Sequence, residues 1–203
     1  ALVLALLPCA GVAAAPLDSV PESGKLSFAL VRDGSRIGTH SFTFQRDGDS
    51  VIVDARIDVT VRIALITVYR YSGTRKETWR DGRLVSYESD TDDDGRTVHV
   101  RGRSTAAGFV VEGKEEAVTL PADAMVFSLW SRGALEGVPL FGQDYGVPLN
   151  VKVEALGGAP LERFHVTGDI DYEMSFAGPI LKGVRIKARD GSIVEYVPEQ
   201  SRG

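Results

Sequence analysis

The chain has 203 residues, 43% of them hydrophobic and 25% charged, with a formal net charge of −5 and one cysteine. That acidic balance, without a long basic block or an RNA-binding motif, argues against nucleic acid as a partner. A lone cysteine rules out a disulfide framework, so the fold must rest on a core, and this length lets one core bury roughly 70% of the unfolded surface.

Residues Ala1–Ala15 carry no charge, run apolar from Leu2 to Leu7 and end in the small cluster Val12-Ala13-Ala14-Ala15. This is the apolar region and small-residue cleavage site of a secretory signal, too short to span a bilayer as a helix. The basic leader and initiating Met are absent, so the sequence is expected to start inside the signal, with cleavage after Ala13 or Ala14. Cys9 would leave with it, and Pro8 suits a lipid-modification site badly. The expected organisation is a signal peptide at 1–15, a flexible segment at 16–24, one β domain at 25–197 and a tail at 198–203. The expected location is the periplasm or the medium.

Five Asp-Gly pairs punctuate the rest, at Asp33, Asp47, Asp81, Asp94 and Asp190. Asp-Gly supplies the positive φ angles of a type I′ turn, whose twist matches two antiparallel strands. Lys25–Arg32 and Ser35–Arg46 alternate around the first of these turns. Val51, Val53, Ala55, Ile57, Val59, Val61 and Ile63 then alternate with polar residues, the mark of a long half-buried strand. A second long strand follows at Thr67–Arg80, then shorter ones at Leu84–Ser89, Thr97–Arg103, Phe109–Glu112 and Ala117–Leu120. Pro121 breaks the pattern, and Ala122–Arg132 is expected as a short helix or irregular crossing. Strands resume at Leu149–Ala155, Glu162–Thr167, Asp171–Phe176, Val184–Ala188 and Ser192–Val197. The pattern predicts an all-β fold, an antiparallel hairpin meander closing into a barrel or half-barrel around that short helix, with a two-sheet sandwich second.

Two clusters could carry chemistry. Tyr69, Tyr71, Glu77 and Trp79 share one parity of the second long strand, so they face one side together. Inside a barrel they either fill the core or line a pocket for an apolar or amphiphilic ligand. Glu77 at an inward position must pair with Arg75, of the same parity, or face a wet cavity. Asp90, Asp92 and Asp94, ending in Gly95, resemble the front of a calcium loop. The position that should hold a bidentate Glu is Arg101, however, and the alternative is a solvated hairpin turn. His40, His99 and His165 fall on separate strands without ligand spacing and read as partly exposed. Nucleophile elbows and phosphate-binding Gly loops are missing, so no catalytic residue and no cofactor is expected.

Several stretches resemble a family of exported bacterial proteins, domain of unknown function 6134. They are Gly34-x₃-Gly38, Tyr69-Arg70-Tyr71, Glu77-Thr78-Trp79-x-Asp81-Gly82-Arg83-Leu84, Thr91-x₃-Gly95, Ser128-Leu129-Trp130, Gly168-Asp169 and Asp190-Gly191-Ser192-Ile193-Val194-Glu195-Tyr196. The resemblance spans roughly residues 24–197 and implies an exported, β-rich protein with Trp79 and its neighbours as family features. It implies no reaction. Met174-Ser175-Phe176-Ala177 stands where a Trp-Tyr-Asp-like step is expected. The function that fits these readings is a non-enzymatic periplasmic binding or envelope-associated protein that holds an apolar or amphiphilic ligand, a lipid or other amphiphilic small molecule, in a β-barrel. The alternatives are a carboxylate enzyme on envelope material, with Glu77 as acid or base, and a module that binds a protein partner.

Overall fold

The computed structural model describes residues 16–188 and 190–199; the expected signal peptide and the end of the tail lie outside them. Thirteen strands form one antiparallel sheet. The first arm runs β1 Lys25–Arg32, β2 Ser35–Asp47, β3 Ser50–Ile63, β4 Ile66–Arg80, β5 Arg83–Asp93, β6 Arg96–Thr105, β7 Gly108–Glu112 and β8 Val118–Leu120. A small sheet follows, made of β9 Met125–Val126, β10 Leu140–Phe141 and β11 Pro148–Leu149. The second arm is β12 Val151–Ala155, β13 Glu162–Gly168, β14 Tyr172–Ala177, β15 Ile180–Lys187 and β16 Ile193–Pro198. The arms join where β16 pairs with β1, Tyr196 opposite Leu30. Positive φ at both central residues of Asp33-Gly34, Asp81-Gly82 and Asp94-Gly95 makes the tight reversals that the sequence calls for.

The sheet does not close. Its end strands are β8 and β12, so of the barrel and half-barrel expected from the sequence the closed barrel is excluded and the open form remains. Both edges resist pairing for simple reasons: β8 is three residues long, and β12 holds exposed Lys152 and Glu154 along its length.

Of the two readings of 122–132, the irregular crossing holds and the short helix does not. Strand β9, an irregular stretch and a 3₁₀ turn at Arg132–Leu135 take its place. Its apolar residues have no helical stripe to present, because they meet walls on several sides at once. Trp130 packs on Phe44 of β2 and Trp79 of β4, and Phe141 on Tyr87 of β5 and Phe109 of β7. Phe127 meets Tyr172 of the other arm. Residues 121–150 therefore plug the half-barrel, and both arms share one core with them. Ahead of β1, a 3₁₀ turn at Pro16–Ser19 leads the chain onto the core. Leu17 and Val20 pack against the core, and buried Ser19 accepts the Arg132 amide at 3.0 Å. No helix among the described residues is long and apolar enough to cross a membrane.

Candidate functional site: a polar interior behind a clasp

The inward parity of β4 brings Tyr69, Tyr71, Glu77 and Trp79 to the concave wall as the alternation predicts, but they do not share one pocket. Each engages a partner in or beside the plug. Glu77 is 1% exposed. Its carboxylate accepts the indole N–H of Trp79 at 2.8 Å, that of Trp130 at 3.2 and 3.3 Å, and the hydroxyl of Ser128. Burial raises its pKa above the ordinary carboxylate value, and these three donors and the field of Arg75 hold the rise back. Glu77 thus neither pairs with Arg75 nor faces a wet cavity; it staples wall to plug.

The plug reaches β4–β6 again through the loop between β10 and β11. The Gln143 carbonyl accepts the hydroxyls of Tyr87 at 2.6 Å and Ser89 at 2.9 Å. The Asp144 carboxylate accepts Arg75 Nη2 and the Tyr71 hydroxyl, both at 2.6 Å, and the Arg75 nitrogen also donates to Tyr71 at 2.6 Å. Tyr145 and Tyr69 donate to opposite oxygens of Asp93, at 2.9 and 2.8 Å. The three loop residues form a clasp over one end of the half-barrel.

Behind the clasp lies a second polar group, brought together from both arms. The Arg75 side chain is 2% exposed. Burial opposes its charge, but Asp144 and the surrounding tyrosines outweigh this and raise its pKa, so it stays a cation. Its Nε and Nη1 have no hydrogen-bond partner among the described residues. Neither nitrogen of His40 has one either, and His40 is 1% exposed. The imidazole stacks at 4.3 Å from Phe42 and stands 5.7 Å from the Tyr196 ring. Burial, and then the charge of Arg75, push its pKa well below 6.5, so the ring is neutral.

Tyr196 and Tyr172 complete the group. The pKa of each is raised by burial, and each feels Arg75 and Asp144; Tyr172 is pushed up to about 12. An interior that holds a cation, an imidazole and two phenols without mutual hydrogen bonds is costly unless something polar meets them.

The acidic run disperses its side chains. Asp90 pairs with His99 on the outer face of β5 and β6, beside a shallow groove. Asp92 accepts the Gly95 amide at 2.7 Å, and Asp94 the Arg70 amide at 3.4 Å. Among the described residues no three His, Cys, Asp or Glu side chains gather as a metal site. His165 pairs with Asp171 at 2.8 Å and is partly exposed, whereas His40 overturns the expectation of exposure. Its parity with Phe42 and Phe44 was the available signal. Asp144 and Gln143 carried none, because they lie in a loop without periodicity.

The family model described as a domain of unknown function, DUF6134, matches residues 28–199. Among solved structures, the chain is similar to a β-barrel-like protein of domain of unknown function DUF1849 from Brucella abortus. The TM-score is 0.56 at 10% identity, over 87% of this chain and 98% of that one, so the likeness is one of fold. No curated protein matches the chain.

Proposed function

We propose that this chain, which belongs to the DUF6134 family, is an exported, non-enzymatic binding protein that receives the acidic head of an amphiphilic molecule in its half-barrel. One observation carries the reading. Arg75 keeps two nitrogens, Nε and Nη1, unbonded beside an unpartnered His40 and the buried rings of Tyr172 and Tyr196. A carboxylate or phosphate head would satisfy the guanidinium edge and accept from the tyrosines, and charge-assisted hydrogen bonds of this kind are strong when desolvated. The aromatic wall, including Phe28 and Phe42, suits the apolar part.

Enclosure of Glu77 by two indoles and a serine supports a structural task for that carboxyl over acid–base catalysis, which needs contact with a substrate. Native mass spectrometry of the mature protein, purified without detergent, tests the proposal. The expected result is an added mass, lost on denaturation, that falls in Arg75→Met and in the milder Tyr196→Phe. A bare polypeptide mass, with no uptake of oleate or a lysophospholipid, overturns it.

A further inference from the structure

Strands β3 and β4 outrun their neighbours. The last pair between β2 and β3 is Gly38 with Val59, and the last between β4 and β5 is Tyr71 with Asp93. Beyond those pairs, the two strands continue as a ribbon turned at Ala64, which takes φ +55. A bare two-stranded ribbon in water is expected to be polar, since it has no core to contribute to. This one presents Ile63 at 68% exposure, Leu65 at 96%, Ile66 at 70% and Val68 at 47%.

Charge says what covers it. Residues 60–70 contain Arg62 and Arg70 and no carboxylate, in a chain of net charge −5. Arg62 pairs across the ribbon with Thr67, just behind the apolar tip, and Arg70 stands at its base. Asp92, Asp93 and Asp94 lie level with that base, roughly 15 Å behind the turn at the rise of an extended strand. The end that leads is therefore apolar, with arginine next and tyrosine at Tyr69. This is the order in which residues distribute across a membrane interface. A second copy fits poorly, because tip-to-tip pairing would bring like-charged arginines together.

We propose that this tip docks on an anionic lipid bilayer, with Ile63, Leu65, Ile66 and Val68 in the interface and Arg62 at the phosphates. Insertion is shallow, about 5–10 Å, as for other interfacial elements. Headgroup water then still serves the unpaired ribbon edges, which hydrocarbon would not. The proposal stands apart from the interior site and holds whether or not that site takes a ligand.

Flotation of the mature protein with vesicles of equimolar phosphatidylglycerol and phosphatidylcholine, against phosphatidylcholine alone, tests it. The wild type is expected to float with the anionic vesicles, less so at high salt. Leu65→Asp should weaken binding at least roughly tenfold with an unchanged melting temperature, and Arg62→Gln should lower it toward the level seen on phosphatidylcholine. Absence of flotation by the wild type, or indifference to Leu65→Asp, overturns the proposal. A dimer in light scattering that Leu65→Asp splits overturns it too, by assigning the tip to a second copy.

Discussion

Trp79 and Trp130 meet edge to face, their ring centroids 5.8 Å apart at 88°, and both donate an indole N–H to Glu77. One residue belongs to the wall and the other to the plug, so a single buried carboxylate fixes their relative position. Replacing Glu77 with Gln puts an amide N–H₂ among three donors that all need an acceptor. The expected loss is about 2 kcal/mol, read from urea unfolding, with a red shift in tryptophan emission. An unchanged midpoint would show that the carboxylate is not what holds the plug.

Among the described residues, Asp144 is the one carboxylate hydrogen-bonded to the Arg75 guanidinium, which is otherwise inside the protein. Asp144→Asn should cost on the order of 3 kcal/mol, because it strands a buried charge, with some relief from the 27% exposure of Asp144. Adding Arg75→Met should recover part of the loss. A double variant as unstable as the sum of the singles would mean that the pair is not coupled.

Acid should expose His40. Its pKa is depressed in the fold by burial and by Arg75, so below about pH 6.5 the unfolded chain binds a proton that the native chain refuses. Stability should then fall with decreasing pH, by up to about 1.4 kcal/mol per unit, until the folded pKa is reached. Glu77 works the other way. Its raised pKa lets the native state keep a proton that the unfolded state has released, so its contribution is lost as pH rises from 4.5. Melting temperatures across the acid range should fall less steeply in His40→Phe than in the wild type; equal slopes would refute the assignment.

The clasp depends on a glycine. Gly146 sits at φ +69, and a methyl there would stand 2.9 Å from Val100 Cγ1 and 3.0 Å from Val111 Cγ1. Gly146→Ala should cost about 1–2 kcal/mol from the backbone alone. Amide exchange should quicken at Gly142, whose N–H bonds the Val147 carbonyl at 2.8 Å. Exchange as slow as in the wild type would mean that the loop absorbs the methyl without loosening.

What could be read beforehand was the part of the chain governed by period and turn. Asp81-Gly82 and the alternation from Val51 to Ile63 act locally, so the meander and the inward parity of Glu77 were legible. The plug was not. Ser128 and Trp130 take their places because Glu77 and Phe44 are already there, a relation between distant segments that leaves no periodic trace. The cluster of His40, Arg75, Tyr172 and Tyr196 lay half in view. Each residue sits at an inward position, but only the pairing of β16 with β1 brings the two arms together.

That pairing has a consequence for how the protein is made. Strands β1 to β8 can zip by successive tight turns as soon as they emerge, and β12 to β16 can do the same later. The seam between them joins residue 28 to residue 198 in the middle of the sheet, so it must wait until residues 193–198 have been made. Until then β1 offers an open edge and the plug has only half its walls, a state exposed to mispairing. A chain cut before Ile193 would keep every hairpin of its first arm and lose the strand that makes the two arms one body.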